Sequence, residues 1–142
     1  MPANTAPIYT RLGDIQWISG ITTANTTTDL TSGTSYLVFT ADSTNGGYAQ
    51  KIRFRAVTGT GNNNIATVAR IWINNGATTG TASNNILYDE ISLAATTGSA
   101  TSALAVYELP LNIALPPGYR LYLTLGTTVA AGYYSTVIAG KY

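Results

Sequence analysis

The chain has 142 residues, 45% of them hydrophobic and only 9% charged, with Lys plus Arg 7 against Asp plus Glu 6 for a formal net charge of +1. That length suffices for one sandwich core and leaves no room for a second domain, and the balanced charge lacks the basic excess that nucleic-acid binding needs. Because the chain holds neither Cys nor His, disulfides, thiolate zinc sites and the commonest nucleophile–base pairs are excluded.

Residues 1–13 read as an extended amino-terminal arm ahead of a single domain over 14–142. Pro2, Ala3, Asn4, Thr5 and Pro7 are small or polar and bracketed by proline, which suits either a strap laid across a neighbour or a loose end. The start has no basic-then-apolar secretory pattern, and no stretch approaches the ~18 apolar residues of a membrane span. The expectation is synthesis in a cytoplasm, with no membrane partner.

Apolar segments of strand length then recur between turn-rich stretches. Asp14 to Thr22 comes first, with Ile15, Trp17 and Ile21 on one apolar face. Thr23 to Thr34 is too rich in Thr, Asn and Gly for core. Ser35 to Thr40 is the second strand, and Asn45-Gly46-Gly47 marks a turn. Tyr48 to Thr58 alternates most cleanly, with Ile52, Phe54 and Ala56 inward and Lys51, Arg53 and Arg55 outward. Ala66 to Ile73 places Ala69, Ile71 and Ile73 opposite Val68, Arg70 and Trp72. Ile86 to Leu93 is the fifth strand, and Leu104 to Leu115 is the sixth, bent or interrupted at Pro110 where a ladder donor is missing. Pro116-Pro117-Gly118 is a hard turn. Tyr119 to Leu125 carries Leu121, Leu123 and Leu125 inward against Arg120, Tyr122 and Thr124, and Tyr133 to Ala139 closes the chain. About eight short strands, each with one apolar face, predict an all-β fold: an antiparallel two-sheet sandwich, jelly-roll-like.

The same pattern argues against catalysis and for binding. Asp89 and Glu90 are strand neighbours and point to opposite faces, so they cannot flank one substrate atom. Asp14, Asp29 and Asp42 lack the spacing of a calcium loop, and no metal or cofactor site is expected. Asn25-Thr26-Thr27 matches a glycosylation acceptor that has meaning only on an export route. The row Lys51, Arg53, Arg55 is either a solvated outer face or a contact for an acidic partner, and Arg70 on the next strand is expected close to it. Tyr119, Tyr122, Tyr133, Tyr134 and Tyr142 crowd the last quarter of the chain. Their rings combine apolar area with a water-tolerant hydroxyl, which suits protein interfaces and sugar-stacking platforms alike. The low charge leaves little repulsion between packed copies.

Arg70-Ile71-Trp72-Ile73-Asn74-Asn75-Gly76, Leu109-Pro110-Leu111-Asn112, Leu115-Pro116-Pro117-Gly118-Tyr119-Arg120-Leu121 and the ending Ala139-Gly140-Lys141-Tyr142 together resemble the capsid decoration, or cement, proteins of tailed bacteriophages. Lys141 stands where many of those proteins carry an acidic residue. The resemblance implies a jelly-roll homotrimer, without cofactor, on the outer capsid surface of the virion, where it bridges copies of the major capsid protein. On that reading Pro2, Ala3, Asn4, Thr5, Pro7, Lys51, Arg53 and Arg55 are candidates for capsid contact. Tyr119, Arg120, Tyr122, Tyr133 and Tyr134 are candidates for the trimer interface. A carbohydrate- or receptor-binding module of a tail fibre is the alternative, because sandwiches with Tyr-rich loops also serve as lectins.

Overall fold

The computed structural model describes residues 10–27 and 29–142, and among them the eight expected strands form within two residues of their expected ends. They are β1 (Leu12–Ile21), β2 (Tyr36–Thr40), β3 (Gly47–Ala56), β5 (Thr67–Asn74), β6 (Asn85–Leu93), β8 (Val106–Leu115), β9 (Arg120–Leu125) and β10 (Tyr133–Lys141). Two further two-residue strands, β4 (Asn63–Asn64) and β7 (Thr96–Thr97), pair with each other and tie the loop after β3 to the loop after β6. The arm candidates Pro2, Ala3, Asn4, Thr5 and Pro7 lie outside the described residues. The arm expected over 1–13 is too long at its far end, because Leu12 and Gly13 already pair with Lys141 and Gly140.

The large strands form two antiparallel four-stranded sheets, ordered β1-β10-β3-β8 and β2-β9-β5-β6. Of the connections between these eight strands, only β5 to β6 stays within one sheet; every other one crosses the sandwich. This is the jelly-roll arrangement. Ile52, Phe54, Leu121, Leu123, Leu125, Ala69, Ile71 and Val137 meet between the sheets and are fully buried. The period-two pattern of β3 and β9 thus does what it predicts: a strand with one apolar face can remove that face from water only against another sheet. The turn before β9 follows equally from local chemistry. Gly118 takes φ +77 and Tyr119 N–H donates to the Pro116 carbonyl at 3.2 Å, the geometry that Pro-Pro-Gly favours.

A sandwich closed face to face still has two open sides, where edge strands of the two sheets run past each other. A side chain spans each. On the β1/β2 side, Gln16 Nε2 donates to the Thr40 carbonyl and Gln16 Oε1 accepts from the Thr40 N–H, both at 2.9 Å. The amide stands in for a missing backbone strand. On the β6/β8 side, a register shift opposite Ile71 and Trp72 leaves Tyr88 as the extra residue of β6, and its hydroxyl donates to the Leu111 carbonyl of β8 at 3.0 Å. Re-aiming a side chain is a recognised effect of a β-bulge.

The two sheets differ on their outer faces. Trp72 points away from the core, as alternation predicts, yet it is 3% exposed, and its indole N–H donates to Thr124 Oγ1 at 3.0 Å. The segment between β1 and β2 covers it. Ala24 bridges Leu125 at one end of the sheet, and Asn85 at the other end donates to the Asp29 carbonyl at 3.4 Å. Tyr36 Oη fixes the start of the segment by accepting from the N–H groups of Thr22 and Thr23. Among the described residues, Thr23 to Thr34 stays out of the central core cluster, as its polar composition predicts, yet it buries two residues of its own. Leu30 is 2% exposed although it lies outside the central core cluster, and Asn25 is 1% exposed, its amide donating to the Ser32 carbonyl and its Oδ1 accepting from Thr27. A single apolar residue inside a polar run leaves no periodicity for the sequence to show.

Gln16→Ala strips the Thr40 backbone of its partner and should lower unfolding free energy by about 1–3 kcal/mol, and Tyr88→Phe by about 1 kcal/mol. Tyr133→Phe should leave stability unchanged or raise it, because among the described residues the buried Tyr133 hydroxyl has no hydrogen-bond partner. Urea unfolding of the three variants measures all three signs. Leu30 holds φ +65, a strained conformation for a branched side chain. Leu30→Gly relieves that strain but removes a buried apolar side chain, so urea unfolding should show a net loss of about 1–2 kcal/mol.

Candidate interaction surface

The outer face of the β1-β10-β3-β8 sheet carries no such covering segment among the described residues, and its rows can be read from the strand registers. One row runs Trp17, Thr136, Arg53, Glu108; the next runs Ile15, Ile138, Lys51, Pro110; a third joins Tyr134, Arg55 and Val106. Neighbouring strands lie ~4.8 Å apart, so four of them present a face roughly 15 Å across. Lys51, Arg53 and Arg55 form its central stripe, as expected.

One carboxylate meets two of these cations. Glu108 Oε2 accepts from Lys51 Nζ at 3.1 Å, and Glu108 Oε1 lies 3.1 Å from Arg53 Nε. The Lys51 hydrogen bond, with the charges of Lys51 and Arg53 beside it, holds the Glu108 carboxyl below the usual carboxylate range. Arg55 forms no ion pair among the described residues. It stands between the exposed Tyr134 and Val106, a free cation with apolar flanks.

Several expectations for this region are corrected. Ile15 and Trp17 do not face the core: they sit on the outer face, Trp17 74% exposed, while Asp14, Gln16 and Ile18 take the inner side. Ile21, grouped with them by alternation, is fully buried in the core, because the register shift between Ile18 and Ile21 sends it to the other side; Ile15 and Trp17 are turned outward where Gln16 bonds the end of β2. The interleaved Asp14 and Gln16 were the signal: inward-pointing polar residues are a device of edge strands. Arg70 does not approach the stripe. The chain crosses to the other sheet between β3 and β5, and there Arg70 Nε pairs with Glu90 Oε2 at 3.2 Å. Glu90 and Glu108 accordingly sit on different sheets, each with its own cationic partner.

The tyrosine candidates do not gather into one patch. Tyr133 is 0% exposed and faces the core opposite Ala56, which withdraws it from any interface; burial pushes its phenol above the ordinary value. Tyr134, its neighbour, therefore points outward beside Arg55. Tyr119 is half-buried against the core at the turn into β9. Arg120 and Tyr122 are half-buried on the other sheet, Tyr122 lying between Leu37 and Trp72.

Elsewhere, a shallow groove of 450 Å³ is lined by Asn63, Asn64, Ile65, Ala95, Thr96, Thr97, Thr128 and Ala130, without a titratable side chain. Among the described residues no three His, Cys, Asp or Glu side chains converge as metal ligands, and no helix is long and apolar enough to cross a membrane. Asn25, the residue of the glycosylation pattern, is sealed by its own loop.

No protein-family model and no curated protein matches the chain. Among solved structures, a chain from the structure of infectious bursal disease virus, Gx strain, is similar with a TM-score of 0.32 and 13% identity. The match covers 98% of this protein and 35% of that chain, so this protein spans about a third of that neighbour's length.

The charge arrangement predicts a measurable titration. Because the folded state lowers the Glu108 pKa, its pairing contributes stability above the unfolded value and loses it as pH falls through the folded one. Carboxyl NMR should show Glu108 titrating below a free glutamate, and Lys51→Ala should move it back up.

Proposed function

We propose that this protein is a structural component of a virion, a decoration or cement protein of a tailed bacteriophage that binds the outer capsid surface as a trimer and stabilises contacts between major capsid proteins. It acts by binding, without catalysis or a cofactor. The observation that carries this reading is the asymmetry of the sandwich: one outer face is roofed over Trp72 by the chain's own loop, while the other, uncovered among the described residues, sets Arg55 and the Glu108-paired Lys51 and Arg53 among Trp17, Ile15, Tyr134 and Val106. Apolar anchors around cations suit an acidic protein surface: the apolar area supplies affinity and the charges set orientation and approach. Repetition over a shell then makes each weak contact effectively intramolecular once a sister copy is seated. The resemblance supplies the phage and the trimer; Tyr134 adds to the bare face, and Arg120 and Tyr122 are the candidates for contact between copies.

Exposed Trp17 also favours a second reading, a sugar-stacking platform on a tail fibre, since a flat indole binds carbohydrate rings by the same apolar contact.

Imaging of the parent particle separates the two: copies spread over the shell support cement, and copies confined to a tail tip support adhesion. With undecorated shells, cosedimentation should weaken as salt rises, and Arg55→Glu should cut affinity by about tenfold or more, near 1.4 kcal/mol. Equal binding by the wild type and Arg55→Glu at every salt concentration counts against a role for this face.

A further inference from the structure

The four edge strands are not equally protected. The β8 edge contains Pro110, which has no N–H to offer, and a register shift where Asn112 adopts φ +51. The β6 edge is bulged at Tyr88 and carries exposed Asp89 and Glu90. The β2 edge is five residues long and its Thr40 is already paired by Gln16. The β1 edge has its register shift only near its end, between Ile18 and Ile21. From Leu12 to Ile18 it pairs with β10 without a register shift, contains no proline, and carries one charge, Asp14, beside the Gln16 amide at 3.2 Å. A long, regular, apolar edge presents unpaired N–H and C=O groups to any strand that fits it.

We infer that β1 pairs antiparallel with β1 of a second copy, about a two-fold axis through Ile15. The argument for this occupant is the self-complementarity of the strand. With Ile15 opposite its own copy, each Gly13 faces a Trp17, each Leu12 an Ile18 and each Asp14 a Gln16. On the outer face, no described residue comes within 4 Å of where a Gly13 Cβ would stand, so the position can receive an indole that is 74% exposed in the single chain. On the inner side, Leu12, 66% exposed and beyond the end of the core, gains an apolar neighbour. The carboxylate meets an amide and not a second carboxylate, so the one charge on this edge is not opposed by its own copy. A shift of one residue moves every side chain to the other face and destroys all of these matches at once. The joined sheets form one eight-stranded layer, and the contact is isologous, as a two-fold requires. It depends on neither a capsid nor the basic stripe, and it is compatible with a three-fold contact elsewhere on the molecule, in which case it links trimers.

Because the chain has no native Cys, single cysteines report this register directly. Ile15 lies on the axis, so the Ile15→Cys variant should form a disulfide-linked dimer under mild oxidation, the paired Cα atoms lying ~4.5–5.5 Å apart. Gly13→Cys and Trp17→Cys should each stay monomeric on a non-reducing gel when oxidised alone and cross-link when mixed. In light scattering the wild type should have at least twice the mass of Ile15→Lys, with circular dichroism confirming that the variant is folded. The cross-link decides. Ile15→Cys linking no faster than Ser43→Cys, an exposed control, overturns the proposal, and so does Gly13→Cys or Trp17→Cys linking alone as readily as the mixture.

Discussion

Everything in this molecule depends on the removal of two apolar sheet faces from water against each other. Ile52 and Phe54 on β3, Leu121, Leu123 and Leu125 on β9, and Ala69 and Ile71 on β5 are fully buried, and hydrophobic burial of this kind is the dominant favourable term in folding. Once the faces meet, the crossing connections are fixed, since nearly every strand must be followed by one in the opposite sheet. The remaining problem is the perimeter, where backbone polar groups of the edge strands would lie open. Gln16 and Tyr88 address it from opposite sides, each with a side chain bonded to backbone of the facing sheet. Asn64 does the same for the loop before β10, its Oδ1 accepting from the N–H groups of Ala131 and Gly132 and its Nδ2 donating to the Gly132 carbonyl.

Burial between the sheets also determines what is left for function. Two outer faces remain after the core is formed, and the polar segment between β1 and β2 lies over one of them, with Leu30 and Asn25 as its buried residues. The opposite face keeps a solvent-exposed tryptophan, an exposed tyrosine and three cations with a single carboxylate among them. A chain with 9% charged residues has few other places from which to draw electrostatic specificity, so the concentration of charge on β3 is the part of the surface with directional information. Low charge elsewhere lets neighbouring copies approach with little repulsion.

The residues of β3 and β9 declared their own orientation, because a strand at the centre of a sheet is buried on one side along its whole length. Edge strand β1 did not. Its apolar set Ile15 and Trp17 and its polar set Asp14 and Gln16 alternate equally well in either direction, and the choice rests on Thr40, which is 24 residues away in sequence. The same holds for Tyr133 and Tyr134: adjacent, chemically identical and similarly placed in the pattern, they part to opposite faces according to which of them meets Ala56 and which meets Arg55.

Periodicity, turn residues and composition by themselves determined eight strands, their approximate ends, the two-sheet class and the outward direction of Lys51, Arg53 and Arg55, because these depend on interactions within a few residues of chain. Only the tertiary structure decided which strands became neighbours, and with that the separation of Arg70 from the basic stripe, the roof over Trp72 and the exposure of Trp17. Those outcomes depend on contacts between distant segments, and a residue's alternation reports that it has two sides without reporting what will lie against either.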